Sequence, residues 1–338
     1  MQTAPDTMTQ MWRLAVAFRI SRCLGVAAEL GIPEFLSRHP HTAAQLAADT
    51  RTHEPSLRRM LRVLVAVEVL AEDEDGRFSL TALGDELRAD RLGPFARFMD
   101  GHIDWQSWQH LDHSIKTGER AFDHIHGMRN WEYYARHPAD GAIFDAAMRA
   151  LTTPVSEAVA SIYDFSGVRL VADVGGGDGT LLIAILHSHA HLKGLLFDRP
   201  NVLERSRARI GEAGLAERIE LAGGSFFEAV PAGADLYLMK SIIHDWEDED
   251  AVAIMKNIRT AAGDGGAHLL LVERRLPDRV GPENIDAVLS DLNMLVNPGG
   301  RERTDSEYAD LFGRASYRLE RTVPLDLGFQ ILEASPTA

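Results

Sequence analysis

The stretch Val168–Leu182, VRLVADVGGGDGTLL, changes character twice. A β-branched apolar run gives way to glycines at 175, 176, 177 and 179, and then to TLLIAILHSHA, which reads as a helix. Small residues in such a turn let the backbone approach a ligand closely and leave the helix N-terminus facing it. Outward from this point the rhythm repeats. GLLFD (194–198), RIELAGG (218–224), ADLYLMKSII (234–243) and AHLLLVERRL (267–276) read as strands. NVLERSRARIGEAG, stopped by Gly214, and Asp248 to Ala262 read as helices between them. This alternation predicts an α/β fold, a parallel sheet covered on both faces. SYRLERTVPLDLGFQILEA (316–334) carries two strands with no helix between, so the sheet is expected to close with an antiparallel hairpin.

The spacing in the turn selects among nucleotides. A dinucleotide fingerprint wants glycine at 175, 177 and 180, but position 180 is Thr and the third glycine comes one residue early, at Gly179. The resulting G-x-G-x-G is typical of S-adenosylmethionine sites, and Thr180 disfavours a nicotinamide oxidoreductase. No lysine stands in the turn, which excludes a P-loop. Asp198, at the end of the second strand and about twenty residues on, is placed to hold ribose hydroxyls.

The chain of 338 residues fits two domains. With 45% hydrophobic and 25% charged residues it has the composition of a globular enzyme, and its net charge of −15 argues against nucleic acid or an anionic membrane as the main partner. A lone Cys23 forms no intrachain disulfide and fits a reducing cytoplasm. MWRLAVAFRISRCLGVAAELGIPEFL (11–36) carries Arg13, Arg19, Arg22 and Glu29, so it reads as an amphipathic helix and not as a signal segment or a bilayer span.

Before residue 165 the pattern is helical apart from LAEDEDGRFSLT (70–81), where Asp75-Gly76 predicts a hairpin turn. Helix, turn, helix and wing make a winged-helix layout. Arg51, Arg58, Arg59 and Arg62 suit a DNA-binding regulator, but Glu72, Asp73, Glu74 and Asp75 load the wing with charge such a binder avoids, which favours a protein scaffold. From Trp105 to Phe144 aromatic side chains crowd, with six histidines from His102 to His137, suiting either a pocket for a flat ligand or a helical core. His124-x-His126 has no third ligand at a typical spacing, and no metal is expected.

LMKSIIHDWEDED (238–250) ends an apolar strand on His244, and Glu273 ends the next strand, so a parallel sheet brings both to the edge where ligands bind. An imidazole at such an edge is able to take up a proton, and a carboxylate on its far nitrogen fixes the tautomer and favours the cation. The acids of WEDEDAV read as a helix start that complements the dipole.

DVGGGDGT, FDRPNVLE, GGSFFEAVPAGADLYLMKSIIHDWEDEDAVAIMKNI, VERRLP and NPGGRERTDSEYADLF together resemble the caffeic-acid-type small-molecule O-methyltransferases, and HGMRNWEYYARHP resembles their bacterial natural-product branch. The match runs over nearly the whole chain. The resemblance implies a Rossmann-like class I methyltransferase sheet over 166–338, a helical pocket segment over 101–165, and a winged-helix domain over 1–100 that forms a homodimer and roofs the pocket. It makes His244 the general base, followed by Asp245 and flanked by Glu273 and Glu302. It places S-adenosylmethionine against Asp173, Gly175, Gly177, Asp198, Ser225, Phe226 and Lys240, and an aromatic substrate against Trp105, Met148, Asn293, Met294 and Asn297. GSFF departs from the plant pattern GDMF, so Ser225 stands where an acid meets the adenine amino group, and a stretch before Asn297 one residue shorter than in the plant enzymes leaves the contacts at Asn293 and Met294 open. The expected activity is methylation of a phenolic hydroxyl; the alternative is a same-fold enzyme repurposed for hydroxylation or cyclisation.

Overall fold

A computed structural model describes residues 6–337. They form two compact units, one built up to Gln106 together with Ala139–Leu151, the other from Ser107–Pro138 together with Thr152 onward. The segment 101–165 is thus divided between them.

In the first unit, the stretch read as a single amphipathic helix is three: Thr7–Val16, Phe18–Glu29 and Ile32–Leu36. Gly31, in the left-handed region at φ 65°, ends the second, and Pro33 starts the third. Thr42 caps the helix Ala43–Thr50 through a reciprocal bond with Gln45. In the helix Glu54–Ala66, Leu57, Leu61 and Leu64 recur at helical spacing and are buried. The wing forms as expected from Leu70–Glu72 and Arg77–Leu80, turning at Gly76 (φ 69°), with His41–Thr42 as a third strand. Arg58 lies 3.7 Å from Glu54 and 3.8 Å from Glu72, so the wing's acids draw charge from the helix that a DNA reader would keep exposed.

The second unit carries a seven-stranded sheet: β1 (Leu170–Val174), β2 (Lys193–Asp198), β3 (Ile219–Gly223), β4 (Leu236–Lys240), β5 (His268–Arg274), β6 (Tyr317–Pro324) and β7 (Phe329–Pro336). Their order is 3-2-1-4-5-7-6. The first five are parallel and β7 runs antiparallel to both its neighbours, with Phe329 opposite Arg274. This is the doubly wound sheet with a closing hairpin that the apolar rhythm predicts. Every residue of β4 from Leu236 to Met239 is buried because helices cover both faces. On one face α3 (Asp248–Ala262) and α5 (Asp305–Arg314) pack Ile254, Met255, Tyr308 and Leu311 against Tyr237 and Met239. On the other, α1 (Thr180–Ser188) and α2 (Pro200–Glu212) pack Leu182, Ile185 and Ile210 against Leu196 and Leu238. Strand order reverses between β1 and β4, which leaves a crevice at their carboxyl ends.

Candidate active site

Sequence alone has β4 running to His244, but the strand stops four residues earlier, at Lys240. Ser241 turns into the left-handed region at φ 52°, and Ile243–Asp245 form a single 3-10 turn. Glu273 explains the turn. From the end of β5 its Oε1 accepts the backbone N–H of Ile242 (3.0 Å) and of Ile243 (2.8 Å), satisfying two donors that the broken strand leaves behind.

The turn sets His244 among three carboxylates, all four groups buried. Its Nδ1 bonds Glu302 Oε1 at 3.0 Å, lies 3.7 Å from Glu273 Oε2, and its Nε2 lies 3.5 Å from Asp245 Oδ1. The far-nitrogen partner is therefore Glu302, and Glu273 spends one oxygen on the backbone. Ser290 donates to the same Glu302 oxygen at 2.7 Å, and the Glu302 N–H donates to Asp291 Oδ1 at 3.0 Å. Burial works to lower the affinity of His244 for a proton, but Glu302, then Glu273 and Asp245, override it and raise the pKa to about 10. Burial, followed by Glu273 and Glu302, lifts Asp245 to about 7, and burial also raises Glu273. Glu302, bonded to His244 and Ser290, stays below the usual carboxylate range despite its burial. Glu302 is thus an anion of the cluster, and it favours the proton-bearing form of His244. His244, Glu273 and Glu302 also bring ligand atoms within 4.8 Å of one another, as a divalent ion would need, but the 3.0 Å bond from Nδ1 already uses those atoms for a proton. His124, stacked on His113 at 3.9 Å, joins no such set among the described residues.

One strand away the glycine turn folds as its spacing requires. Gly175, Gly177 and Gly179 all have positive φ, at 74°, 59° and 81°. At Gly176 a Cβ would come within 2.4 Å of Leu196, whereas at Gly177 it would meet nothing within 4 Å, so the turn is packed below and open above. Asp198 accepts from the Gly177 N–H at 2.9 Å and the Arg199 N–H at 2.7 Å, so it braces the turn from which it is also expected to reach a ribose. Asp173 is buried with Oδ2 unpartnered, and burial, with Asp198 adding to it, raises its pKa to about 7. Lys240 is half-buried beside Ser241 Oγ (3.0 Å) and over the Phe329 ring, and desolvation lowers its pKa to about 8. Phe226 closes the side of the turn: a Cβ on Gly175 would lie 3.6 Å from its ring. Ser225 Oγ accepts a long bond from the Phe227 N–H, at 3.3 Å.

Of the expected substrate contacts, Asn293, Met294 and Asn297 share α4 (Ile285–Val296) and its C-cap, and Trp105 and Met148 belong to the first unit. Trp105 packs there on Phe18 and beneath Arg22. Trp108, passed over singly in the sequence, donates from its indole to Asn293 Oδ1 at 3.2 Å, and Asn297 donates to the same oxygen at 2.7 Å. An indole N–H only donates, so this pair orients the Asn293 amide and leaves its N–H₂ side for another acceptor. Ser290, Asn293 and Asn297, spaced at three and four residues, share one helical face, a signal legible in principle. Arg120 and Arg129, which no sequence signal singled out, both donate to Pro298 O, at 3.0 and 2.9 Å, and fix the loop between Asn297 and Glu302.

Residues 108–318 match the O-methyltransferase domain, and residues 12–90 match the O-methyltransferase dimerisation domain. The chain belongs to the O-methyltransferase family. It is 37% identical to the mitomycin biosynthesis 6-O-methyltransferase of Streptomyces lavendulae, over 97% of this chain and 92% of that protein. Its fold is similar to that of NcsB1, an O-methyltransferase from neocarzinostatin biosynthesis solved with S-adenosylmethionine and 2-hydroxy-5-methyl naphthoic acid, at TM-score 0.76 and 32% identity over 94% of this chain and 95% of that one. It is also 36% identical to the aclacinomycin 10-hydroxylase RdmB of Streptomyces purpurascens, over 92% of this chain and 86% of that protein. Family and fold agree with the resemblance drawn from the motifs.

Proposed function

We propose that this O-methyltransferase methylates a phenolic hydroxyl of an aromatic natural product, with His244 as its general base. The cofactor is S-adenosylmethionine. The residues at the turn fit it: Gly177 is open to a ligand, Asp198 faces the turn, and the buried Asp173 has an oxygen without a partner for a cationic or hydroxyl group. S-adenosylmethionine supplies a methyl already activated on a sulfonium sulfur, so the protein's own task is to orient a hydroxyl and take its proton.

The observation that carries the reading is the 3.0 Å bond between His244 Nδ1 and the buried Glu302. It commits Nδ1 to the carboxylate and leaves Nε2 as the atom that accepts a proton. Glu302, Glu273 and Asp245 raise the imidazole's affinity for a proton, which narrows its gap to a phenol of pKa ~10. After transfer, Glu302 and Glu273 flank the imidazolium. Asn293, its amide oriented by Trp108, is our proposed substrate contact together with Met294, Asn297, Trp105 and Met148. We further read the enzyme as a homodimer through its N-terminal domain and, from its lone Cys23, as cytoplasmic. Among the described residues no helix is long and apolar enough to cross a membrane.

The similarity to a hydroxylase favours one second reading, a cofactor-binding relative turned to another reaction. Transfer of label from methyl-labelled S-adenosylmethionine to a panel of simple and polycyclic phenols separates the two. Labelled product supports methylation; a cofactor that raises the melting temperature while every phenol stays unlabelled supports the second reading.

A further inference from the structure

Arg303 heads the large side chains that are wholly buried, with a relative exposure of 0%. A guanidinium out of water must place five N–H donors, and an unmatched one is costly. Here each finds an acceptor. Nε and Nη2 donate to Asp248 Oδ1 at 3.1 and 2.8 Å, Nη1 donates to Ile243 O at 3.1 Å and to Arg301 O at 3.3 Å, and Nη2 donates to Trp246 O at 2.7 Å.

Two of these acceptors decide what the side chain does. Ile243 and Trp246 are the residues on either side of His244 and Asp245. Ile243 O also accepts the Trp246 N–H at 3.3 Å within the turn, and Arg303 takes both carbonyls with one planar group. From the opposite side, the Glu273 carboxylate takes the amides of Ile242 and Ile243. The turn that carries the base is therefore held by a carboxyl oxygen on its N–H groups and a guanidinium on its C=O groups.

The main chain of Arg303 is itself anchored. Its carbonyl accepts from the Leu276 N–H at 2.9 Å, and Arg275 and Arg303 form a parallel bridge just past the end of β5. The preceding residue is Glu302, which holds the imidazole ring. Gly300 lies against the same backbone, where a Cβ would come within 1.9 Å of His244 O. One short segment thus fixes both the ring and the main chain of His244.

We propose that Arg303 is a positioning residue that locks the Ile243–Asp245 turn so that His244 presents Nε2 to the substrate, a role that rests on the reading of His244 as general base. A buried cation that only stabilised the fold would affect melting temperature and cofactor affinity along with turnover. A positioning residue affects turnover and its pH dependence selectively.

The test measures label transfer from S-adenosylmethionine to the most rapidly labelled phenol of the panel, in wild type, Arg303→Lys and His244→Ala. Lysine keeps the charge beside Asp248 but has no planar fork to span the two carbonyls. The expected result for Arg303→Lys is an unchanged cofactor-induced rise in melting temperature, a kcat lower on the order of 10²-fold, and an acid limb displaced from that of wild type. Wild-type kcat and pH dependence in a folded Arg303→Lys overturn the proposal. If that variant does not fold, Asp248→Asn decides: it keeps Arg303 and an acceptor oxygen but weakens the anchor, so a lower kcat at unchanged cofactor affinity is expected and wild-type kcat overturns the proposal. If His244→Ala retains the wild-type rate, the base reading falls and the role of Arg303 with it; if His244→Ala is inactive while Arg303→Lys is normal, only the present inference falls.

Discussion

His244 and Glu302 form the pair on which the chemistry turns, and their shifts oppose each other as an ion pair requires: the imidazole is raised to about 10 and the carboxylate is lowered. Catalysis needs the imidazole neutral, so kcat/KM is expected to rise with pH along an acid limb centred well above the ~6.5 of a free imidazole. Glu302 is the foremost group raising that affinity, and Glu302→Gln is expected to move the limb to lower pH while cutting the rate on the order of 10²–10⁴-fold through loss of the oriented tautomer. A pH–rate profile of the two proteins checks both; an unmoved limb contradicts the assignment of Glu302. The same shift bears on stability. A folded-state pKa raised from 6.5 to about 10 gives His244 a stabilising contribution that is complete below pH 6.5 and lost as pH climbs through 10. Asp245, raised from 3.8 to about 7, acts with the same sign, since its folded form also holds its proton more tightly. Thermal melts from pH 6 to 10 are expected to show a fall that is shallower in His244→Gln, and an equally steep fall in that variant contradicts it.

The elements that place this pair were legible to different degrees. The strands, the glycine turn and α3 follow from apolar period and from glycine positions, which are local properties. The end of β4 was not legible, because it is set by Glu273, thirty-one residues beyond Ile242 in sequence. Asp248 was read as a plain helix-start acid, yet it also holds Arg303 and Arg301, fifty-five and fifty-three residues away. Long-range polar partners leave no periodic trace, so the motif gives the cast of the site and the fold assigns the parts. Gly300 shows how tightly these elements meet. Gly300→Ala is expected to destabilise the protein by about 1–3 kcal/mol and to reduce turnover while cofactor binding persists, as denaturation and calorimetry would show. Normal stability and turnover in that variant contradict the close packing of the loop on the base.

For the molecule as a whole, the N-terminal unit matches a dimerisation domain, and its first helix, Thr7–Val16, buries no residue. Met8, Met11, Trp12 and Leu14 expose 61% or more of their surface, an apolar face that a single chain does not cover. A homodimer is expected by sedimentation at micromolar concentration, and Trp12→Glu is expected to shift it toward monomer. A wild-type monomer refutes the dimer reading. The winged-helix layout that raised a DNA-binding regulator carries paired charges on its helix and wing, and the chain's net charge of −15 points the same way.

The most direct measurement is the rate of methyl transfer from labelled S-adenosylmethionine to a phenol in wild type and in His244→Ala, with cofactor affinity measured on both by calorimetry. Equal cofactor affinity and a rate lower by roughly 10²–10⁴-fold are expected in the variant. A variant that binds the cofactor equally and transfers the methyl at the wild-type rate contradicts that expectation.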